Sequence, residues 1–151
     1  MPQSLASVHV HIVFGTKHRR PFLSDDETRT QMHAYIASIL KAYDSPPVIV
    51  GGPDDHVHIL CLLSRNHSIS KVIAEIKRNS TKWIKTKGAD YKEFSWQNGY
   101  GVFSVGKSMV DKTIKYIKNQ KEHHAEVDFK GEMIGFLKKH GVAYDEKYLW
   151  D

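Results

Sequence analysis

A hairpin near the middle of the chain constrains the fold more than any other segment. Residues 48–50 form a short β-branched run, residues 51–55 (GGPDD) a tight turn, and residues 56–63 the return strand. Alternation places His56, His58 and two leucines on one face of the return strand, and four apolar side chains on the other. Because both faces are largely apolar, we expect other elements to cover both of them.

The patterns that flank the hairpin predict the order of the remaining elements. Residues 8–14 alternate and are β-branched, which predicts a strand, and residues 101–105 predict another. Apolar side chains recur at helical spacing over residues 25–43, and again from a start near Ser68 or Ser70. The resulting β-α-β-β-α-β order predicts an α+β fold of the ferredoxin-like (RRM-like) split βαβ type, with two helices on one face of a four-stranded antiparallel sheet.

Additional helices are expected after the fourth strand. A third helix begins near Ser108 and runs to about His124, and residues 129–140 predict a short fourth helix that Gly141 ends. Because the two crossover helices cover only one face of the sheet, the third helix is the available candidate to cover the face that carries the histidines.

Length and composition predict one globular domain over residues 1–151. The chain is 40% hydrophobic and 26% charged, which argues against disorder, and its single cysteine, Cys61, cannot form an internal disulfide. Its longest nearly unbroken apolar run, residues 57–63, is far shorter than the ~20 residues of a membrane span, and the amino-terminal segment lacks a signal-peptide pattern. We therefore expect a soluble cytoplasmic protein that does not enter a membrane.

Positive charge is clustered along the chain. The 22 Lys and Arg residues exceed the 17 Asp and Glu residues, and the formal net charge of +5 favours a polyanionic partner, most often nucleic acid. A moderately basic surface that only aids solubility is the competing interpretation. The candidate DNA-binding residues are Lys17, Arg19, Arg20, Lys77, Arg78 and Lys82.

Two histidine pairs have the spacing of metal ligands. On a strand, His56 and His58 share one face about 6.7 Å apart, which suits a shared divalent cation. His9 and His11 repeat this form in the first strand, so the spacing does not select between the pairs, and either pair can be structural. The two aspartates of the turn before His56 are hard oxygen ligands by type, although a turn also uses aspartate for its own hydrogen bonds.

The expected third helix has a polar face that begins with a tyrosine. Val110 and Ile117 mark its apolar stripe, whereas Tyr116, Gln120 and His123 lie together on a different face, roughly 90° or more away. If this helix covers the histidine face, the tyrosine hydroxyl is a candidate nucleophile beside a divalent cation. An exposed tyrosine on a solvated helix face is the alternative.

Six stretches of the chain, taken in order, carry a resemblance to a known family. They are residues 11–21 (HIVFGTKHRRP), 51–60 (GGPDDHVHIL), 80–84 (STKWI), 96–105 (WQNGYGVFSV), 116–124 (YIKNQKEHH) and 144–151 (YDEKYLWD). Together they span nearly the whole chain. They resemble the single-tyrosine HUH transposases of insertion-sequence-200-like elements and the related REP-associated tyrosine transposases.

The resemblance implies a specific chemistry. Such enzymes cut and rejoin single-stranded DNA at the ends of their element without ATP, and they bind subterminal DNA hairpins. Tyr116 matches the nucleophile that forms a 5′-phosphotyrosine intermediate. The matching metal ligands are His56, His58 and Gln120, which would hold Mg²⁺ or Mn²⁺. The family is typically a homodimer in which the tyrosine helix of one subunit can complete the other's site.

Three alternatives share parts of this interpretation. A domesticated relative would act on dispersed genomic repeat hairpins, and genomic context separates it from a mobile copy. A ferredoxin-like sheet that only binds single-stranded nucleic acid would expose aromatic side chains on its open face. A metal-dependent hydrolase that uses water as the nucleophile would keep its activity in Tyr116→Phe.

Overall fold

Four strands and two crossover helices form the predicted split βαβ fold. They are β1 (His9–Gly15), α1 (Asp26–Ala42), β2 (Pro47–Gly51), β3 (His56–Leu62), α2 (Ile69–Lys85) and β4 (Gly101–Val105). The strands form one antiparallel sheet in the order β2-β3-β1-β4. The computed structural model describes residues 3–151. Residues 1 and 2, which belong to the expected domain, lie outside the described range. Within residues 3–151, every helix is too short or too polar to cross a membrane.

The face of the sheet that lacks histidines packs on α1 and α2. Ile12 and Phe14 of β1, with Val57 and Ile59 of β3, are at most 1% exposed there, as alternation along both strands predicts. Cys61 lies on the same face, and burial raises the pKa of its thiol to about 12, which keeps the thiol protonated. The helix residues that complete this core include Met32, Ile36, Leu40, Val72, Ile73 and Ile76.

The third predicted helix is divided in the structure. α3 (Val110–Lys118) and α4 (Gln120–Glu126) are separated at Asn119, whose ψ of 16° lies outside the helical region. The prediction of one helix over residues 108–124 was therefore wrong. Asparagine is a poor helix former, and the turn at this position accompanies the burial of Gln120, which is 1% exposed.

The histidine face of the sheet is covered by two elements rather than by one. α3 packs on β2 and β3 as expected, and Ile117 lies in one apolar cluster with Leu60. The remainder is covered by α5 (Phe129–Lys139), for which the sequence predicted no such role. α5 begins after Asp128, whose side chain accepts a hydrogen bond from the helix backbone, and it ends before Gly141, which has a φ of +65°.

Glycines in the strands let α5 approach the sheet closely. A Cβ atom at Gly15 would lie 2.7 Å from Phe129 Cε2, and one at Gly101 would lie 2.9 Å from Met133 Sδ. Phe129 and Met133 pack there with Val13 of β1 in a second apolar cluster. The position of α5, and hence of every side chain on its sheet-facing side, therefore depends on these two glycines.

Gly15→Ala is expected to destabilise the protein by about 1–3 kcal/mol, because the new methyl group overlaps the Phe129 ring. The control is Gly135→Ala on the exposed side of α5, where nothing lies within 4 Å of an added Cβ atom. Helix propensity favours alanine there by up to about 1 kcal/mol. Urea denaturation followed by circular dichroism measures both variants, and an unchanged midpoint in Gly15→Ala would contradict this packing of α5.

Candidate functional site

Two imidazole rings from β3 meet beneath α5. Alternation along the strand places His56 and His58 on the same face, where their side chains are buried and their Nε2 atoms lie 3.2 Å apart. Phe129 of α5 packs against the His56 ring, with 4.7 Å between the ring centroids. The two ring nitrogens thus converge on one point in the interior.

A carboxylate and an amide complete this cluster. The Glu132 Oε1 atom lies 3.0 Å from His56 Nε2 and 2.9 Å from His58 Nε2. The Gln120 Oε1 atom lies 3.2 Å from His56 Nε2. Three ligand-type atoms of β3 and α5 therefore lie within 3.2 Å of one another, and the Gln120 oxygen of α4 adjoins one of them.

Glu132 was not among the site residues predicted from the sequence. This residue lies on the buried side of α5, three positions after Phe129 and next to Met133, and it is 6% exposed. A carboxylate within an apolar helical stripe is a signal that could have marked it, because buried charges in proteins are paired or bind metals.

The ligand atoms of His56, His58 and Glu132 have separations that suit a divalent cation with octahedral coordination. Ligands at about 2.1 Å from an octahedral ion lie about 3.0 Å from their nearest neighbours. The separations of 2.9, 3.0 and 3.2 Å agree with that geometry. His56, His58 and Glu132 could hold a metal ion, and imidazole nitrogens mixed with oxygen ligands suit Mn²⁺ better than Mg²⁺, which prefers oxygen alone.

Hydrogen bonds set the charge of the cluster. Burial by itself would raise the pKa of Glu132, but hydrogen bonds and charge from His56 and His58 hold it well below its usual range. Burial also opposes protonation of His56, yet Asp55 and Glu132 raise its pKa to about 9. Burial lowers the pKa of His58 in spite of its contact with Glu132. The cluster is therefore an ion pair between protonated His56 and the Glu132 carboxylate, beside a neutral His58.

A tyrosine near the end of α3 is joined to this cluster by Glu132. The Tyr116 hydroxyl donates a hydrogen bond to Glu132 Oε2 and lies 3.2 Å from His123 Nε2. Its ring meets the His58 ring edge-on, with 5.6 Å between the centroids. Burial and the Glu132 contact raise the pKa of Tyr116 above its usual range, so the phenol is protonated. The two oxygens of one carboxylate thus contact the histidine nitrogens and the phenol.

A second group of ligand-type side chains adjoins the first. The Asp55 Oδ1 atom lies 2.7 Å from His56 Nδ1 and 3.8 Å from His124 Nε2. This group uses the nitrogen of the His56 ring that faces away from Glu132, and both Asp55 and His124 are partly exposed. The short contact between Asp55 and His56 is an ordinary charge-assisted hydrogen bond.

The six candidate DNA-binding residues have different surroundings. The Lys77 ammonium donates to the backbone carbonyls of residues 97–99 at 2.6, 3.2 and 2.7 Å, and burial lowers its pKa to about 8. Lys77 therefore holds the segment that precedes β4. Arg20 and Arg78 each pair with a glutamate. The residues with exposed or partly exposed side chains outside these pairs are Lys17, Arg19 and Lys82.

The ion pair of His56 and Glu132 makes stability depend on pH in a definite direction. Folding raises the pKa of His56 from 6.5 to about 9, so its contribution to the free energy of unfolding is complete below pH 6.5 and is lost as the pH rises through 9. The destabilisation caused by His56→Gln should therefore shrink by on the order of 3 kcal/mol between about pH 6 and pH 10.

Urea titrations without divalent cations measure this difference. Val13→Ala is a matched control on the same face of the sheet, since it removes buried methyl groups but no titratable group, and its cost should be equal at both pH values. A His56→Gln cost that does not change with pH would contradict the ion pair.

Comparisons with known proteins agree with this fold. The sequence profile of the family described as "Transposase IS200 like" matches residues 4–120, whereas no curated protein matches the chain. A protein of Deinococcus radiodurans R1, described as a candidate transposase, shares 20% identity over 80% of this chain and 95% of its own, with a TM-score of 0.62. A REP-associated tyrosine transposase bound to a REP hairpin shares 16% identity over 84% of this chain and 74% of its own, with a TM-score of 0.60. These structures share the fold, and on the match over residues 4–120 the chain belongs to the IS200-like transposase family.

Proposed function

We propose that the protein cleaves and rejoins single-stranded DNA through a covalent link to Tyr116, with a divalent cation held by His56, His58, Gln120 and Glu132. The observation that carries this proposal is the double contact of Glu132. Its Oε1 atom meets both histidines, while its Oε2 atom accepts the hydrogen bond from the tyrosine. A nucleophile and a set of metal ligands joined in this way can act on one phosphate group.

In this mechanism the side chains hold the reacting groups in place. The cation, when bound, withdraws charge from the scissile phosphate. The Tyr116 oxygen forms a bond to phosphorus while the bond to the 3′ oxygen breaks, which leaves a 5′-phosphotyrosine and, after protonation, a free 3′-OH. The phenolic proton has two acceptors within reach, Glu132 Oε2 and His123 Nε2. Attack by the 3′-OH of another strand reverses the step, so rejoining needs no ATP.

The proposed catalytic groups lie close together within a single chain. Tyr116 on α3 reaches the histidines of its own β3, which supports a site that a single subunit can complete. The resemblance also implies homodimers in which the tyrosine helix is exchanged. Exchange would require a hinge near Gly106, which directly precedes the turn into α3. Assembly as a homodimer stays a prediction.

We further expect the protein to bind a DNA hairpin at each end of its element. A structural relative is bound to a REP hairpin, which supports this substrate class. The turn after β1 adjoins the segment that Lys77 holds, because Thr16 pairs with Trp96 and the Lys17 backbone N–H donates to Ser95. Lys82 of α2 lines the same surface depression as Ser95, so Lys82 lies near the turn that carries Lys17 and Arg19. These three side chains, which are outside the ion pairs, offer one positively charged region for the phosphates.

Covalent capture of DNA tests the proposal. Single-stranded oligonucleotides that contain the hairpin and cleavage site are incubated with the protein and Mn²⁺, and the products are run on a denaturing protein gel. The wild type should give a slower band that survives boiling, whereas Tyr116→Phe and His56→Ala should give none. The control is Tyr148→Phe, whose side chain is 62% exposed, and it should form the adduct like the wild type.

Two other outcomes would contradict the proposal and favour an alternative. Cleaved DNA without an adduct, persisting in Tyr116→Phe, would indicate hydrolysis with water as the nucleophile. Tight binding without either product, on DNA that contains the cleavage site, would indicate a binding module. A domesticated relative would form the same adduct on genomic repeat hairpins, so genomic context distinguishes it.

A further inference from the structure

We propose that His11 is a positioning residue that orients the His58 ring and directs its Nε2 atom to the cation site. The His11 Nε2 atom lies 2.8 Å from His58 Nδ1, and the two residues are 4% and 0% exposed. Val13 is the register partner of His58 across β1 and β3, so His11 is the diagonal neighbour of His58 on the same face. The inference rests on the proposed metal site.

The role follows from the two nitrogens of an imidazole ring. A neutral ring that binds a cation through Nε2 carries its proton on Nδ1, and a buried N–H group needs an acceptor. In the metal-bound state the acceptor for His58 would be the Nε2 atom of His11, which lies 2.8 Å from His58 Nδ1. His56 has the equivalent arrangement, since its Nδ1 atom lies 2.7 Å from Asp55 Oδ1. Each ligand ring thus has a partner at Nδ1, and both Nε2 atoms face the same point.

Packing alone does not require a histidine at position 11. The His11 ring meets the Phe136 ring edge-on, with 5.2 Å between the centroids, and its centroid lies 6.2 Å from that of Tyr116. An apolar side chain of similar size would fill this space, but it would offer no acceptor to His58. His9 provides a matched control, because it is a buried histidine two residues earlier on the same face of β1.

Three variants test this role through Mn²⁺ affinity, measured by electron paramagnetic resonance of the free ion. His11→Leu should weaken Mn²⁺ binding about 10- to 100-fold, which is the usual effect of losing an outer partner of a metal ligand. His11→Gln should recover most of the affinity, because its side-chain oxygen can accept the hydrogen bond from His58 Nδ1. His9→Leu should bind like the wild type. Wild-type affinity in His11→Leu, or equal weakening in His9→Leu, would overturn the proposal.

A second measurement on the wild type keeps the test independent of how His11→Leu folds. In the Mg²⁺-saturated protein, long-range ¹H–¹⁵N spectra should show the ring proton of His11 on Nδ1, which leaves its Nε2 atom as the acceptor. A proton on His11 Nε2 would overturn the proposal.

His56→Ala separates a failure of this inference from a failure of the proposed metal site. If His56→Ala binds Mn²⁺ as tightly as the wild type, the metal site itself is wrong and the role of His11 is overturned with it. If His56→Ala loses Mn²⁺ binding while His11→Leu retains it, only the positioning role is overturned.

Discussion

The buried carboxylate of Glu132 is the interaction on which the rest of the site depends. A charge with so little exposure is stable only where donors or a cation balance it. Its partners come from separate segments: His56 and His58 on β3, Tyr116 on α3, and Gln120 on α4, whose Nε2 atom donates at 3.0 Å. This one side chain therefore links α5 to β3, α3 and α4.

The sheet supplies the frame in which that charge can be buried. α1 and α2 occupy one face, so the histidine face is left for α3 and α5. Gly15 lies against Phe129, and a Cβ atom at Gly51 would lie 2.9 Å from Ile117 Cγ2, so both covering helices come close to the strands. Alternation along β3 thus places apolar side chains in the core on one face of the sheet and the histidines of the candidate site on the other face. Both sets of side chains are held on rigid elements, which keep ligands in place.

The fold and the shared face of His56 and His58 could be predicted from the sequence because both follow from local patterns. Alternation in strands and apolar spacing in helices each involve residues only a few positions apart. Contacts between distant segments are not encoded in such patterns. Glu132 reaches His58 across 74 positions, and His11 reaches it across 47. Lys77 is a further example: a lysine that charge clustering marks as a DNA contact instead donates to backbone carbonyls 20 to 22 positions away.

The proposed function requires one divalent cation to bind between β3, α4 and α5. Anomalous diffraction at the manganese absorption edge, from crystals soaked in Mn²⁺, would locate that cation. One strong peak is expected within about 2.3 Å of His56 Nε2, His58 Nε2 and Glu132 Oε1. A peak between Asp55 and His124 instead, or no peak at saturating Mn²⁺, would contradict it.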